Sequence, residues 1–359
     1  MHLAKRTTTT AAALLISAIA ITGCATQAPT AGTSGEAADD KLVIASWGGD
    51  FSAATLKYLA EPFSEETGID VSIVDVPGTQ ATQLQAQSDA GAVQWDILDS
   101  LGAADAYFMN QEGLLAPLSA DETASFTETL GADKITDFGF SFSSLGYVVV
   151  CNNETVTACP ATVEEFFDTE NFPGRRSVPG EYYSQLAAML QVASGSAAGE
   201  VDIPKLVKPL EDIKDSVSVW YTSGDQMDQV MRQGEADISL HYSGRGYSLL
   251  DEGLDATLNW AGVYDPGFTA VAADAPHPTA AAEFMKWVVE NAQAQADWSE
   301  AMGYSVPSTE ALELMPAELS ERLADYPANF ELLAQQDFDW YLANKDAIDS
   351  GIREIVQGG

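Results

Sequence analysis

Short apolar runs alternate with stretches in which apolar residues recur every third or fourth position. Runs at 42–46, 71–76, 96–99, 146–151, 217–220, 237–240 and 256–261 have the length and content of buried strands. Between them, residues 51–67 set Leu56, Leu59, Ala60 and Phe63 on one helical face, with Gly68 as a stop. Residues 79–90 and 227–233 read as further helices, and 278–290 brings Phe284, Trp287 and Val288 together. This alternation predicts an α/β fold with largely parallel sheets. Ligands bind such sheets beyond the carboxyl ends of the strands. Those ends share a chemistry of aromatics and small polar residues: "SWGGD", "WDILDSLG", "WYTSGDQ", "LHYSGRG" and "NWAGVYDPGF".

The N-terminal residues set the compartment. His2, Lys5 and Arg6 precede an apolar run at 11–21 that is too short to span a bilayer and reads as a secretory signal. The "ITGC" that follows resembles a bacterial lipoprotein lipobox, which implies a signal over 1–23 and a lipid on Cys24. The chain would then be exported and held at the outer face of the cell membrane. Residues 24–40 are rich in Ala, Thr, Ser, Gly and Pro and predict a flexible tether. In an oxidising compartment Cys151 and Cys159 read as a disulfide, the alternative being two free buried thiols.

The formal charge is −38, from 16 Lys and Arg against 54 Asp and Glu. Such a surface repels nucleic acid and anionic lipid and attracts cationic solutes. Solubility or salt tolerance would call for the same acidity. Enzyme signals are missing: there is no G-x-S-x-G elbow and no H-E-x-x-H. No phosphate loop, metal-ligand spacing or cofactor motif occurs, so neither a metal nor a cofactor is expected.

Six segments carry a resemblance: "SWGGDFSAATLKYLAEPFSEETGIDV", "QWDILDS", "EGLLAPL", "FPGRRSV", "YTSGDQMDQVMRQGEADISLHYSGR" and "AAEFMKWVVE…GYSVPST". In this order the chain resembles the solute-binding proteins of ABC importers, in the spermidine/putrescine-binding branch. The resemblance implies a two-lobed periplasmic-binding-protein-like α/β fold with a hinge of crossing strands and an interlobe ligand cleft. Lobe one would comprise 41–145 with 262–325, and lobe two 146–261. Residues 326–359 would form C-terminal helices packed across the hinge. The partners implied are a small-molecule ligand, an ABC permease in the membrane and the lipid anchor, with the chain itself a monomer. A non-transport sensory receptor on the same fold is the other role.

The expected ligand is a polyamine, held by aromatic faces and carboxylates. Trp47 would be a flat wall at the cleft mouth, with Gly48 and Gly49 letting the backbone approach. Asp50 is expected to cap the following helix. Asp99 and Ser100 end the third strand, and Tyr221 ends a later one. The family resemblance implies ligand roles for Glu181, Tyr182, Tyr242, Tyr264 and Asp265. Three departures point elsewhere: Ser184 stands where the family has a second acid, Pro266-Gly267 stand where it has an aromatic, and Arg245 could meet a ligand carboxylate or form a surface or interlobe salt bridge. An amphoteric solute such as a γ-amino acid is therefore the alternative. His241 is open to two readings, a ligand contact or a packed neutral imidazole.

Overall fold

The computed structural model describes residues 40–358 apart from 182, 198 and 200. The signal, the tether, Cys24 and Tyr182 lie outside the described residues. Among the described residues ten strands form two five-stranded sheets. In chain order they are β1 (Lys41–Ser46), β2 (Asp70–Asp75), β3 (Ile97–Gly102), β4 (Gly139–Ser141) and β5 (Leu145–Asn152). Then come β6 (Arg176–Pro179), β7 (Val217–Tyr221), β8 (Ile238–Tyr242), β9 (Ala256–Asp265) and β10 (Gly267–Val271). The sheet orders are β2-β1-β3-β10-β4 and β7-β6-β8-β5-β9.

Each sheet has three neighbouring parallel strands, which explains the apolar content of β1, β3 and β8. The sheets are nonetheless mixed. In lobe one β10 runs antiparallel to β3 and β4, and in lobe two β5 runs antiparallel to β8 and β9. Both inserted strands arrive from the other lobe, so they enter against the direction of the strands they join. Three short strands, β4, β6 and β10, were not among the predicted runs. At three to five residues they carry too little pattern to stand out.

The first helix is one continuous rod, Gly49–Thr55, a π turn Leu56–Ala60, then Glu61–Thr67. The π turn lies directly before Pro62, whose ring lacks the amide that a regular turn would use. Gly68 closes the rod at φ 81°. Asp50 does not cap it. The capping position belongs to Gly48, and Ser52 Oγ accepts from the Gly48 amide at 2.9 Å. Asp50 lies within the first turn, where its charge still suits the helix dipole.

Chain crosses between the lobes at residues 142–144 and again at Pro266. The second sheet runs through Asp265, because β9 pairs with β5 at seven positions from Ala256 to Asp265, across a bulge. A third segment returns beside the crossings. Ser305 N donates to Ser144 O at 2.9 Å, and Tyr264 N donates to Ala334 O at 2.9 Å. The final helix, Phe338–Gly358, then touches both lobes. Phe338 packs with Ala103 and Met109 of lobe one, while Trp340, Tyr341, Ile348 and Ile352 pack in the core of lobe two.

A buried ion pair ties the crossings together. Lys134 of lobe one pairs with Asp325 of the returning segment. Tyr264 Oη lies 2.9 Å from Asp325 Oδ1 and 2.8 Å from Ser144 Oγ. Cys151, in β5, is joined to Cys159 by a disulfide.

Candidate ligand cleft

On lobe one the candidate wall is the end of β1 and β3. Trp47 follows β1, and its Nε1 donates to Ser100 O at 2.8 Å. Gly48 and Gly49 have φ of 82° and 57°, a left-handed pair that a side chain would resist. Ser100 also has a positive φ, 53°, an unusual value for a residue with a Cβ. Asp99 holds that conformation from behind. It is 3% exposed and accepts from Ser46 Oγ at 2.8 Å, Thr55 Oγ1 at 3.1 Å and Ser100 Oγ at 3.0 Å. Burial pushes its carboxyl up, and the three hydroxyls oppose this. Asp99 thus supports the wall and offers no oxygen to the cleft.

On lobe two the wall is made of tyrosines. Tyr147 of β5, Tyr221 of β7 and Tyr242 of β8 line one cavity with Pro179, Glu181 and Gln185. The register sets Tyr147 opposite Tyr242, and their rings lie 5.6 Å apart. Tyr221 Oη donates to Leu240 O at 3.0 Å, so its bond with the Tyr147 hydroxyl has Tyr147 as donor. Burial lifts both phenols well above their ordinary range and keeps them neutral. Glu181 sits exposed on the rim.

Asp265 ends β9 at the hinge. Its carboxylate accepts from Gln185 Nε2 at 2.9 Å and Gln336 Nε2 at 3.3 Å. It keeps some solvent contact but is crowded by protein, and that desolvation pushes it up to about 6 against the two amide donors. The neighbouring Tyr264 turns the other way. Its hydroxyl is consumed in the hinge by Asp325 and Ser144, because β9 alternates its side chains.

Arg245 lies in the first turn of helix Ser243–Asp251, which starts directly after β8. A helix dipole disfavours a cation there. Asp225 Oδ1 at 3.2 Å and Asp228 Oδ2 at 2.8 Å offset that cost. Burial works against the guanidinium, yet Asp228 and its neighbours hold it above its ordinary range. Helices Ala103–Gln111, Gly224–Arg232 and Ser243–Asp251 all start at carboxyl ends of strands, so their amide-rich ends face the cleft side of the sheets. Neither Gly102 nor Tyr242 supplies a side-chain cap. Such ends favour negative charge.

Of the residues expected from sequence, Glu181, Tyr221 and Tyr242 line one cavity together, while Trp47 and Ser100 lie at strand ends of the other sheet and Asp265 ends β9. Sequence reasoning missed Tyr147, which hid inside an apolar strand, and Gln185 and Gln336, whose amides carry no sequence signature. Among the described residues no group of three or more His, Cys, Asp or Glu could hold a metal ion. No helix among them is long and apolar enough to cross a membrane.

Two α/β lobes of identical strand order, joined by crossing segments and facing each other with aromatic strand ends, define a two-lobed periplasmic-type binding protein. The chain belongs to the bacterial extracellular solute-binding proteins, whose family model matches residues 58–331. It is 24% identical over 327 residues to the γ-aminobutyric acid-binding protein of Pseudomonas aeruginosa, covering 88% of this chain and 90% of that one. A solved GABA receptor is similar at 27% identity and TM-score 0.77, covering 88% of this chain and 97% of the other. A binding protein of A. tumefaciens in complex with agropinic acid is similar at 25% identity and TM-score 0.69, covering 90% and 100%. The family is a non-enzymatic, exported component of transport.

Proposed function

We propose that this protein captures a small amphoteric solute, with an amine at one end and a carboxylate at the other, for an ABC importer. The γ-amino acids are the leading class. The observation that carries this is Arg245, a cation in the first turn of a helix at a strand end, where the dipole opposes it and two acids sustain it. A polyamine has no use for such a group. A ligand carboxylate does, and the uncapped start of the helix that carries Arg245 adds to the attraction. Asp265, Glu181 and the tyrosine faces provide for the amine. The names of two relatives, a γ-aminobutyric acid-binding protein and a GABA receptor, support the same ligand class over spermidine and putrescine.

In this reading the open and closed forms exchange, and the ligand favours closure because only then do both lobes touch it. Trp47 and Ser100 close from lobe one onto the tyrosine wall. The liganded form meets a permease at the outer face of the membrane, where a lipid on Cys24 retains it. Thermal unfolding with γ-aminobutyrate, putrescine, spermidine and α-amino acids tests the ligand class. A ligand at about 100 times its Kd adds about 2.7 kcal/mol of stability. The reading requires the shift with γ-aminobutyrate; a shift with polyamines alone overturns it.

A further inference from the structure

A buried chain of hydrogen bonds leads from the sheet of lobe two to Arg245. Ser177 Oγ donates to Ser239 Oγ at 2.7 Å, and Ser239 Oγ lies 3.2 Å from His241 Nδ1. His241 Nε2 lies 3.0 Å from Asp228 Oδ1, and Arg245 Nη1 donates to Asp228 Oδ2 at 2.8 Å. Ser177, Ser239 and His241 are wholly shielded from solvent, and Asp228 is 7% exposed.

A carboxylate only accepts, so His241 Nε2 carries the proton and Nδ1 is left as an acceptor; the one Ser239 hydroxyl proton has two acceptors in reach, Leu240 O at 3.0 Å and His241 Nδ1 at 3.2 Å. Burial holds His241 below its ordinary range despite Asp228, so the imidazole is neutral. Burial alone would raise Asp228, but His241 and Arg245 outweigh it and keep the carboxylate charged. Arg232 lies farther off, 3.9 Å from Asp228 Oδ2. Gly224, on the cavity wall, leaves room for the guanidinium: a Cβ there would stand 2.7 Å from Arg245 Cζ. The guanidinium is thus held at Nη1 and pressed against a residue of the cavity.

We propose that Asp228, oriented by His241, is the positioning residue that aims Arg245 at the ligand's carboxylate and so sets the preference for carboxylate-bearing solutes. This rests on the amphoteric-ligand reading above. A purely structural role would weaken every ligand alike; a positioning role acts on the carboxylate alone.

The test is calorimetric titration with γ-aminobutyrate and its amide, γ-aminobutyramide, which has the same length and amine but no carboxylate. The wild type should prefer the acid by tenfold to about a hundredfold, the scale of one charge-assisted hydrogen bond. Asp228→Asn should lose that preference, with the amide's Kd unchanged to within about twofold. Should Asp228→Asn fold poorly, a pair at His241 decides. His241→Gln keeps a donor toward Asp228 and should keep the preference, and His241→Leu should lose most of it. A preference intact in Asp228→Asn, or equal losses for acid and amide, overturns the proposal and leaves the amphoteric reading standing. A wild type that does not distinguish acid from amide removes that reading, and the proposal with it.

Discussion

Lobe one orders its strands β2-β1-β3-β10-β4 and lobe two β7-β6-β8-β5-β9, the same plan used twice, with the fourth strand lent by the other lobe. Their cleft faces are finished differently. In lobe one the polar groups at the strand ends are spent inside the lobe: Asp99 takes three hydroxyls, and Trp47 is pinned to Ser100. In lobe two three tyrosines line one cavity, and Arg245, held by Asp225 and Asp228, lies against Gly224 of its wall. In the proposed reading, lobe one serves as a wall, and the chemistry that tells one solute from another is on lobe two and at the hinge.

The largest way to break this comparison is to cut what joins the lobes. Lys134→Met would leave Asp325 buried without its partner, a loss of about 3–5 kcal/mol. Because the pair holds Tyr264, whose hydroxyl in turn reaches Ser144 of the first crossing, both lobes should lose stability together in one denaturant transition. Unfolding of one lobe alone in this variant would show that the hinge pair does not couple them.

The next effect comes from Asp265. Asp265 has a folded pKa pushed up to about 6 against an ordinary value of 3.8. The folded state therefore holds this proton more tightly than the unfolded state. The group costs stability above about pH 6, and the cost is relieved as pH falls toward 4. The cost at pH 7 is about 3 kcal/mol. Asp265→Asn should remove this dependence, read as a flatter difference in stability between pH 7 and pH 4.5. Protonation of Asp265 should also weaken binding of a ligand amine, by about tenfold at pH 5. Binding that holds constant from pH 7 to pH 5 would place the amine elsewhere.

Ligand contacts give the next contrast. Arg245→Gln should raise the Kd for γ-aminobutyrate by about a hundredfold, roughly 2.7 kcal/mol. Trp47→Ala on the lobe one wall should cost about tenfold, for acid and amide equally. Reversed magnitudes would move the specificity to lobe one. Smallest of all, Tyr147→Phe removes one hydroxyl donor from the tyrosine wall and should cost about 1 kcal/mol of stability.

Much of this architecture is readable from local pattern. Helix Pro278–Glu290 has the predicted bounds, and Gly68 stops its helix at a positive φ because the periodicity and the punctuation are local. The "SWGGD" stretch announced its own geometry through its two glycines. What escaped is what the chain assembles over distance. Asp265 is completed by Gln336, 71 residues away, and by Gln185, 80 residues away. Strand β10 reads as a loop until β3 and β4 are there to pair with it. Asp50 looked like a cap because only its position was visible, whereas Ser52 takes the Gly48 amide once the backbone bends at the glycines. His241 belongs to the same class. Its role depends on Asp228 thirteen residues earlier and on complete burial.

The central claim is that the cleft reads a carboxylate at one end of its ligand and an amine at the other. Calorimetric titration with γ-aminobutyrate and putrescine tests it most directly, since both have four carbons and differ in whether the far end is a carboxylate or an ammonium. The account predicts saturable binding of γ-aminobutyrate, lost in Arg245→Gln, and none of putrescine. Tight binding of putrescine that survives Arg245→Gln, with γ-aminobutyrate silent, would contradict it.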